Sequence, residues 1–268
     1  MSGTRYLEGP RPRLFGHRGA SGVMPENTLD AFAAAVRAGA ERLELDVHAT
    51  ADGEIVVMHD DHVDRTTDGS GPVRSFSLAA LRRLDAGYRF RTPDGTYPYR
   101  GRGLGVPTLG ELLEAIPDVP LNIEVKQLEP PIETAVLATL DRFDSRDRTL
   151  LAAEDGTIMT RIRAAAPDVL TSFSAPEVAE FIYRLRDGEL AGYRPSGVAL
   201  QVPPSFGDVQ IITEASVAAA HALGLEIHAW TINDEAEMER LLDLGVDALM
   251  TDFPARALAV LRRRGLRG

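Results

Sequence analysis

Short apolar runs that read as strands alternate with amphipathic runs that read as helices along almost the whole chain. Eight strand starts can be counted, at Leu14, Arg42, Leu121, Thr149, Val169, Val198, Glu226 and Ala248. Strand, helix and strand in that order imply parallel strands joined by crossover helices. Eight such units are the number that closes an α/β barrel of the (β/α)₈ or TIM type. A doubly wound open sheet is the alternative, weakened because no phosphate-binding glycine fingerprint follows the first strand. Helices are expected over residues 29–38, 109–116, 132–140, 158–165, 176–186, 214–223, 235–244 and 255–263. Thr28 and Thr108 supply N-cap hydroxyls for the first two of them. Residues 54–58 follow an Asp52-Gly53 turn and are expected to fold back on the second strand as a hairpin.

One stretch breaks the rhythm. Residues 60–105 are far longer than the roughly 2–6 residues of an ordinary βα connection. Arginines there outnumber carboxylates, whereas the whole chain carries a net charge of −11. Aromatics (Phe76, Tyr88, Phe90, Tyr97, Tyr99) are interleaved with them. The 268 residues therefore read as one barrel domain carrying a small cap-like insertion at about 60–105, or a solvated loop packed on the rim. The acidic balance argues against a nucleic-acid partner, which would call for a basic face. The chain has no cysteine, which excludes disulfides, thiolate catalysis and zinc-thiolate sites. Residues 1–13 are polar with no apolar leader, and no run reaches the roughly 18 apolar residues of a membrane span. A cytoplasmic protein without stable membrane insertion is expected; oligomeric state is not readable.

Polar residues cluster where the strands end. In Arg42-Leu43-Glu44-Leu45-Asp46-Val47-His48 side chains alternate, so Leu45 and Val47 face covering helices while Glu44, Asp46 and His48 face the barrel interior. Glu124 shares a face with Asn122 and Lys126 on the next barrel strand. Carboxylates inside a barrel are costly unless paired or bound to a cation. They could pair with Arg18, Lys126 or Arg42, or hold one hard divalent ion, Mg²⁺ or Ca²⁺. His17 and His59 titrate near neutrality and suit an acid–base pair. Arg18 and Lys126 could hold non-bridging phosphate oxygens. Lys126 is the chain's single lysine among 29 basic residues, so arginine was not simply substituted there. Trp230, the only tryptophan, ends the seventh strand and walls the pocket or fills the core. His48 and His228 are inward-facing candidates of lower rank, and His62 and His221 read as structural.

In order along the chain, Gly16-His17-Arg18-Gly19, Pro25-Glu26-Asn27-Thr28, Glu44-Leu45-Asp46-Val47, His59-Asp60, Asp64-Arg65-Thr66-Thr67-Asp68-Gly69, Glu124-Val125-Lys126 and Thr251-Asp252-Phe253-Pro254 resemble the glycerophosphodiester phosphodiesterase family. The similarity runs from about Phe15 to Pro254. It implies a (β/α)₈ barrel with an insertion after the His-Asp motif and a divalent cation at Glu44, Asp46 and Glu124. It also implies His17 and His59 as the acid–base pair. The implied reaction is hydrolysis of a small glycerophosphodiester to an alcohol and glycerol 3-phosphate. Alternatives are a lysophospholipase D or other lipid phosphodiesterase, and a barrel that binds phosphorylated ligands without turnover. Where the family carries Ser-Phe after its fourth barrel strand, this chain has Ala153-Glu154.

Overall fold

In chain order the strands are β1 (Arg13–His17), β2 (Arg42–Ala49), β3 (Ile55–Val57), β4 (Leu121–Val125), β5 (Thr149–Ala152), β6 (Leu170–Thr171), β7 (Ala199–Val202), β8 (Ser205–Phe206), β9 (Val209–Gln210), β10 (Glu226–Ala229) and β11 (Ala248–Thr251). The helices are α1 (Leu29–Arg37), α2 (Leu78–Leu81), α3 (Leu109–Ala115), α4 (Glu133–Arg142), α5 (Gly156–Ala165), α6 (Ala175–Asp187), α7 (Glu214–Ala222), α8 (Glu235–Leu244) and α9 (Pro254–Arg263). This computed structural model describes residues 5–268, so the polar stretch read at residues 1–13 begins outside the described residues. Among the described residues, no helix is long and apolar enough to cross a membrane.

Eight strands pair in parallel in the order β6-β5-β4-β2-β1-β11-β10-β7. The two ends of that path meet through a parallel bridge between Ser172 and Ala199. Val198 N donates to Thr171 O at 2.9 Å and Phe173 N to Ala199 O at 3.2 Å across the same seam. A Cβ on Gly197 would lie 2.6 Å from Ser172 O, so only glycine lets the strands approach this closely. β3 pairs antiparallel with β2, giving the expected hairpin.

Leu45 and Val47 of β2 are fully buried among Phe32, Leu109, Leu112 and Val136, all on helices. Glu44, Asp46 and His48 take the opposite side of the same strand, which is the alternation a pleated strand imposes. Helix starts are fixed by side-chain caps. The Thr28 hydroxyl accepts from Ala31 N, Thr108 and Glu111 form a reciprocal capping box, and Asp234 accepts from Glu237 N. Residues 78–84 read in sequence as one short helical stretch, but α2 stops at Leu81. The β8–β9 hairpin has no counterpart in the sequence reading, since two-residue strands carry no period to detect. Between β3 and α3, Val63, Val73, Leu81 and Ala86 close a small apolar cluster over Val56 and Met58. Tyr99 Oη reaches across to donate to Val23 O at 3.0 Å, tying this segment to the turn after β1.

The opposite end of the barrel is held by ion pairs between side chains. Arg13 and Glu226, both almost fully buried at strand starts, pair directly, and Arg11 Nη2 reaches Glu226 Oε1 at 2.7 Å. His228 Nε2 lies 2.9 Å from Glu226 Oε2. Burial alone would raise the Glu226 pKa, but the hydrogen bond and charge of His228 and the charges of Arg13 and Arg11 hold it at about 2. Because the folded value lies below the ordinary one, the stabilisation is complete above about pH 4.5 and drains away as pH falls toward 2. Glu226→Gln leaves Arg13 buried and uncompensated and is expected to cost about 3–5 kcal/mol. Urea midpoints across this pH range check it. A variant as stable as the parent near neutrality contradicts the account.

Candidate active site

The other end of the barrel gathers side chains from the C-terminal ends of β1, β2 and β4 and from the turns after them. Parallel register sets the geometry: His17 aligns with Glu44, and Asp46 with Glu124. Glu44, Asp46 and Glu124 each present a carboxylate oxygen, and these oxygens all lie within 4.8 Å of one another. Glu44 and Asp46 are buried. Burial, with the Asp46 charge beside it, pushes the Glu44 carboxyl up to about 8. Glu124 is raised for the same reasons, against the lowering pull of Lys126.

Two fixed cations adjoin these acids. Lys126 Nζ stands 2.9 Å from Glu124 Oε1 and 3.5 Å from Asp46 Oδ1. Burial disfavours its charge, but Glu124 and Asp46 outweigh burial and the Lys126 pKa is raised. Arg18 lies with Nε 3.4 Å from Asp46 Oδ2 and Nη1 3.1 Å from Glu26 Oε1. Its backbone N donates to the Glu44 carboxylate at 3.1 Å. Arg18 sits at φ 52° and Asn27 at φ 56°, a left-handed conformation uncommon for arginine, held here by surrounding contacts, and readily adopted by asparagine. Gly19, at φ 87°, leaves no room for a Cβ, which would come within 2.6 Å of the Ala31 backbone. The Gly-His-Arg-Gly turn is thus packed directly on α1. Asn27 Nδ2 donates to Asp46 Oδ2 at 3.1 Å, and its own Oδ1 is buried without a partner.

The two imidazoles are each held by a carboxylate. His17 Nδ1 lies 2.7 Å from Asp252 Oδ1, and its Nε2 faces the acid cluster, 3.8 Å from Glu44 Oε2. Burial favours the neutral His17 ring, yet the Asp252 hydrogen bond and the Glu44 charge prevail and its pKa is raised. Asp252 is itself fixed by Ser21 Oγ at 2.7 Å and Asn233 Nδ2 at 2.6 Å. His59 Nδ1 lies 2.6 Å from Asp60 Oδ1. Arg65 then joins Asp60 to Glu26, and Glu26 joins Arg18, so the second imidazole is wired to the first group of residues. Trp230 follows β10 at the rim, 41 % exposed, and the next residue, Thr231, brings its hydroxyl to 3.5 Å from His17 Nε2.

His17, Arg18, Glu44, Asp46, Glu124 and Lys126 are therefore in one place, with His59 linked through Asp60 and Trp230 on the edge. Arg42 is not there: it bonds the Tyr6 and Glu8 carbonyls. His48 Nε2 engages the His59 carbonyl, His228 belongs to the Glu226 cluster, and His221 and His62 pair with Asp247 and Asp61. Glu154 is exposed just after β5. Asp60, Asp252 and Glu26 lie inside the sequence motifs with no role of their own there, and Asn27 enters only beside the Thr28 cap. Their proximity to a histidine or arginine in the motif set was the available signal.

An all-oxygen donor set, a Glu44 carboxyl pushed up by burial and by the Asp46 charge, and a spare Asn27 oxygen fit a hard divalent cation. Imidazoles with one nitrogen anchored and the other free can move protons.

The sequence model of the glycerophosphoryl diester phosphodiesterase family matches residues 17–256. A glycerophosphodiester phosphodiesterase of Caldanaerobacter subterraneus is 31% identical over 261 residues, spanning 94% of this chain and 98% of its own length. A human protein named lysophospholipase D is 26% identical over 90% of this chain and 83% of its own. Among solved structures, an Oleispira antarctica phosphodiesterase in complex with the product sn-glycerol-3-phosphate superposes with a TM-score of 0.76 at 28% identity, over 94% of this chain and 97% of that one.

Proposed function

This chain belongs to the glycerophosphoryl diester phosphodiesterase family, and we propose that it hydrolyses glycerophosphodiesters to an alcohol and glycerol 3-phosphate with a divalent cation and the pair His17 and His59. The observation that carries this reading is the meeting of Glu44, Asp46 and Glu124 beside His17, Arg18 and Lys126.

Glu44, Asp46 and Glu124 would hold Mg²⁺ or Ca²⁺, which when bound draws electron density from a non-bridging phosphate oxygen. Arg18 and Lys126 supply fixed positive charge to the remaining phosphate oxygens as charge builds on phosphorus. His17, whose protonated form is favoured by Asp252 and Glu44, donates a proton to the departing alkoxide. His59, held by Asp60, takes a proton from the attacking hydroxyl. That hydroxyl belongs either to water or to the glycerol carbon adjacent to the one bearing the phosphate; the second route expels the alcohol and leaves a cyclic phosphate, which water then opens to glycerol 3-phosphate. Asp252 and Asp60 act as positioning residues, fixing ring orientation and tautomer. Asp252→Asn is accordingly expected to lower kcat by about 10²-fold with KM within about twofold. Steady-state kinetics at saturating cation read both, and a variant with normal kcat removes Asp252 from this role.

The deciding experiment offers a panel of glycerophosphodiesters and lysophospholipids with each cation and follows products. Release of free alcohol and glycerol 3-phosphate from deacylated diesters supports the reading. Exposed Glu154, replacing the family's Ser-Phe, adds negative charge near the mouth and favours cationic alcohols in that panel. Preference for acylated substrates would instead favour a lysophospholipase D, the name carried by the human relative. Binding without turnover would leave only a phosphate-ligand receptor.

A further inference from the structure

Exposed apolar side chains are not spread evenly over this protein. Nine large ones stand out from the surface among the described residues, and six of them follow strand C-termini: Val23, Tyr97, Leu128, Phe206, Val209 and Trp230. Five different βα connections supply them, so they ring the mouth of the barrel rather than form one groove. Phe206 is 78 % and Val209 54 % exposed, paired across the β8–β9 hairpin, which gives that hairpin no inward apolar face to bury. Tyr97 lies under the Arg100 guanidinium, and Tyr99 joins the same segment to the Val23 turn.

The charge on that rim is equally uneven. Arg74, Arg83, Arg89, Arg91, Arg100 and Arg102 are exposed on the segment between β3 and α3, and none has a carboxylate within ion-pair distance among the described residues. The chain as a whole carries −11. The net charge therefore repels an anionic surface, while this arginine-bearing segment attracts it, against exposed Glu154 and Asp208 elsewhere on the rim. Arginines without a carboxylate partner beside exposed Tyr97 on one side of the rim, with Val23, Trp230, Phe206 and Val209 on its other connections, match the composition of surfaces that sit at the boundary between lipid headgroups and acyl chains.

We propose that the rim of the barrel mouth docks on the surface of an anionic phospholipid bilayer, presenting the mouth to phosphodiesters held in the lipid. The proposal rests on the reading that the mouth is where phosphodiesters are cleaved. Contact is peripheral: hairpin β8–β9 and Trp230 enter the interface while the arginines face headgroup phosphates.

Trp230 is the chain's only tryptophan and stands on the rim, so its emission reports docking directly. Vesicles of equimolar phosphatidylcholine and phosphatidylglycerol should shift its emission to the blue, and lipids brominated on the acyl chain should quench it. Pure phosphatidylcholine should give little response, and added salt should weaken the anionic one. The double variant Phe206→Ser/Val209→Ser should partition about tenfold more weakly. Arg91→Glu/Arg102→Glu should lose about 10²-fold or more. Both should hydrolyse soluble glycerophosphocholine at the parent rate, which separates lost docking from misfolding. Unchanged emission with anionic vesicles, equal response to neutral ones, or a shift that follows protein concentration without lipid (two copies meeting through their rims) overturns the proposal. A docking signal accompanied by no hydrolysis of any diester leaves docking standing and strikes the enzymatic reading instead.

Discussion

Stripping divalent cations with a chelator is expected to lower turnover by about 10³-fold or more, with recovery on adding Mg²⁺ or Ca²⁺. The expectation follows from an imbalance at the end of the barrel. Three carboxylates crowd within 4.8 Å, and the lowering pull of His17 and Arg18 does not offset burial and the Asp46 charge, which push Glu44 up to about 8. An additional positive charge removes that strain, so cation binding near pH 7 should release a proton from Glu44. Calorimetric titration in buffers of differing ionisation enthalpy measures it. Cation binding should also raise Tm in proportion to the logarithm of ion concentration. In Glu44→Gln/Glu124→Gln both the proton release and the Tm response should disappear. Full activity in chelator would mean that Lys126 and Arg18 already neutralise the acids, and the cation would leave the scheme.

His17→Ala and His59→Ala are each expected to reduce kcat by about 10²–10⁴-fold. Both rings have Nδ1 committed to a carboxylate, Asp252 or Asp60, which leaves Nε2 as the atom for proton transfer. The two losses need not look alike. A diester with a p-nitrophenyl leaving group requires no protonation as it departs. On that substrate His17→Ala should regain most of its activity, whereas His59→Ala should remain slow. The reverse pattern exchanges the roles of the two histidines. Near-parent rates in both variants on the natural diester would sink the acid–base scheme altogether.

Much of the architecture could be read because β2 and β4 are short strands with one face buried under helices. Leu45 and Val47 against Glu44 and Asp46 is a pattern that only a pleated strand at a barrel wall explains. Helix starts were legible at Thr28 and Thr108 because each cap is a local hydrogen bond. What failed to show was non-local or too short. The His17 to Asp252 contact joins residues 235 apart in sequence, and nothing near either one announces the other. The Glu26–Arg65–Asp60 chain crosses from the turn after β1 into the long segment after β3, whose path no periodicity fixes. Strands β8 and β9 are two residues each, below any detectable repeat.

Pairing of β1 with β11 has a consequence for synthesis. A ribosome-bound chain already contains every acidic and basic group of the cluster once Lys126 has emerged. His17 nevertheless stays without its carboxylate partner until Asp252, on the far side of β11, is available to fold back. β1 can pair with β2 early, but its second edge and the His17 anchor wait on the last strand, a closure of high sequence separation that is slow by nature. Nascent polypeptide lacking the final strand would be inert toward diesters however well its earlier portions had settled.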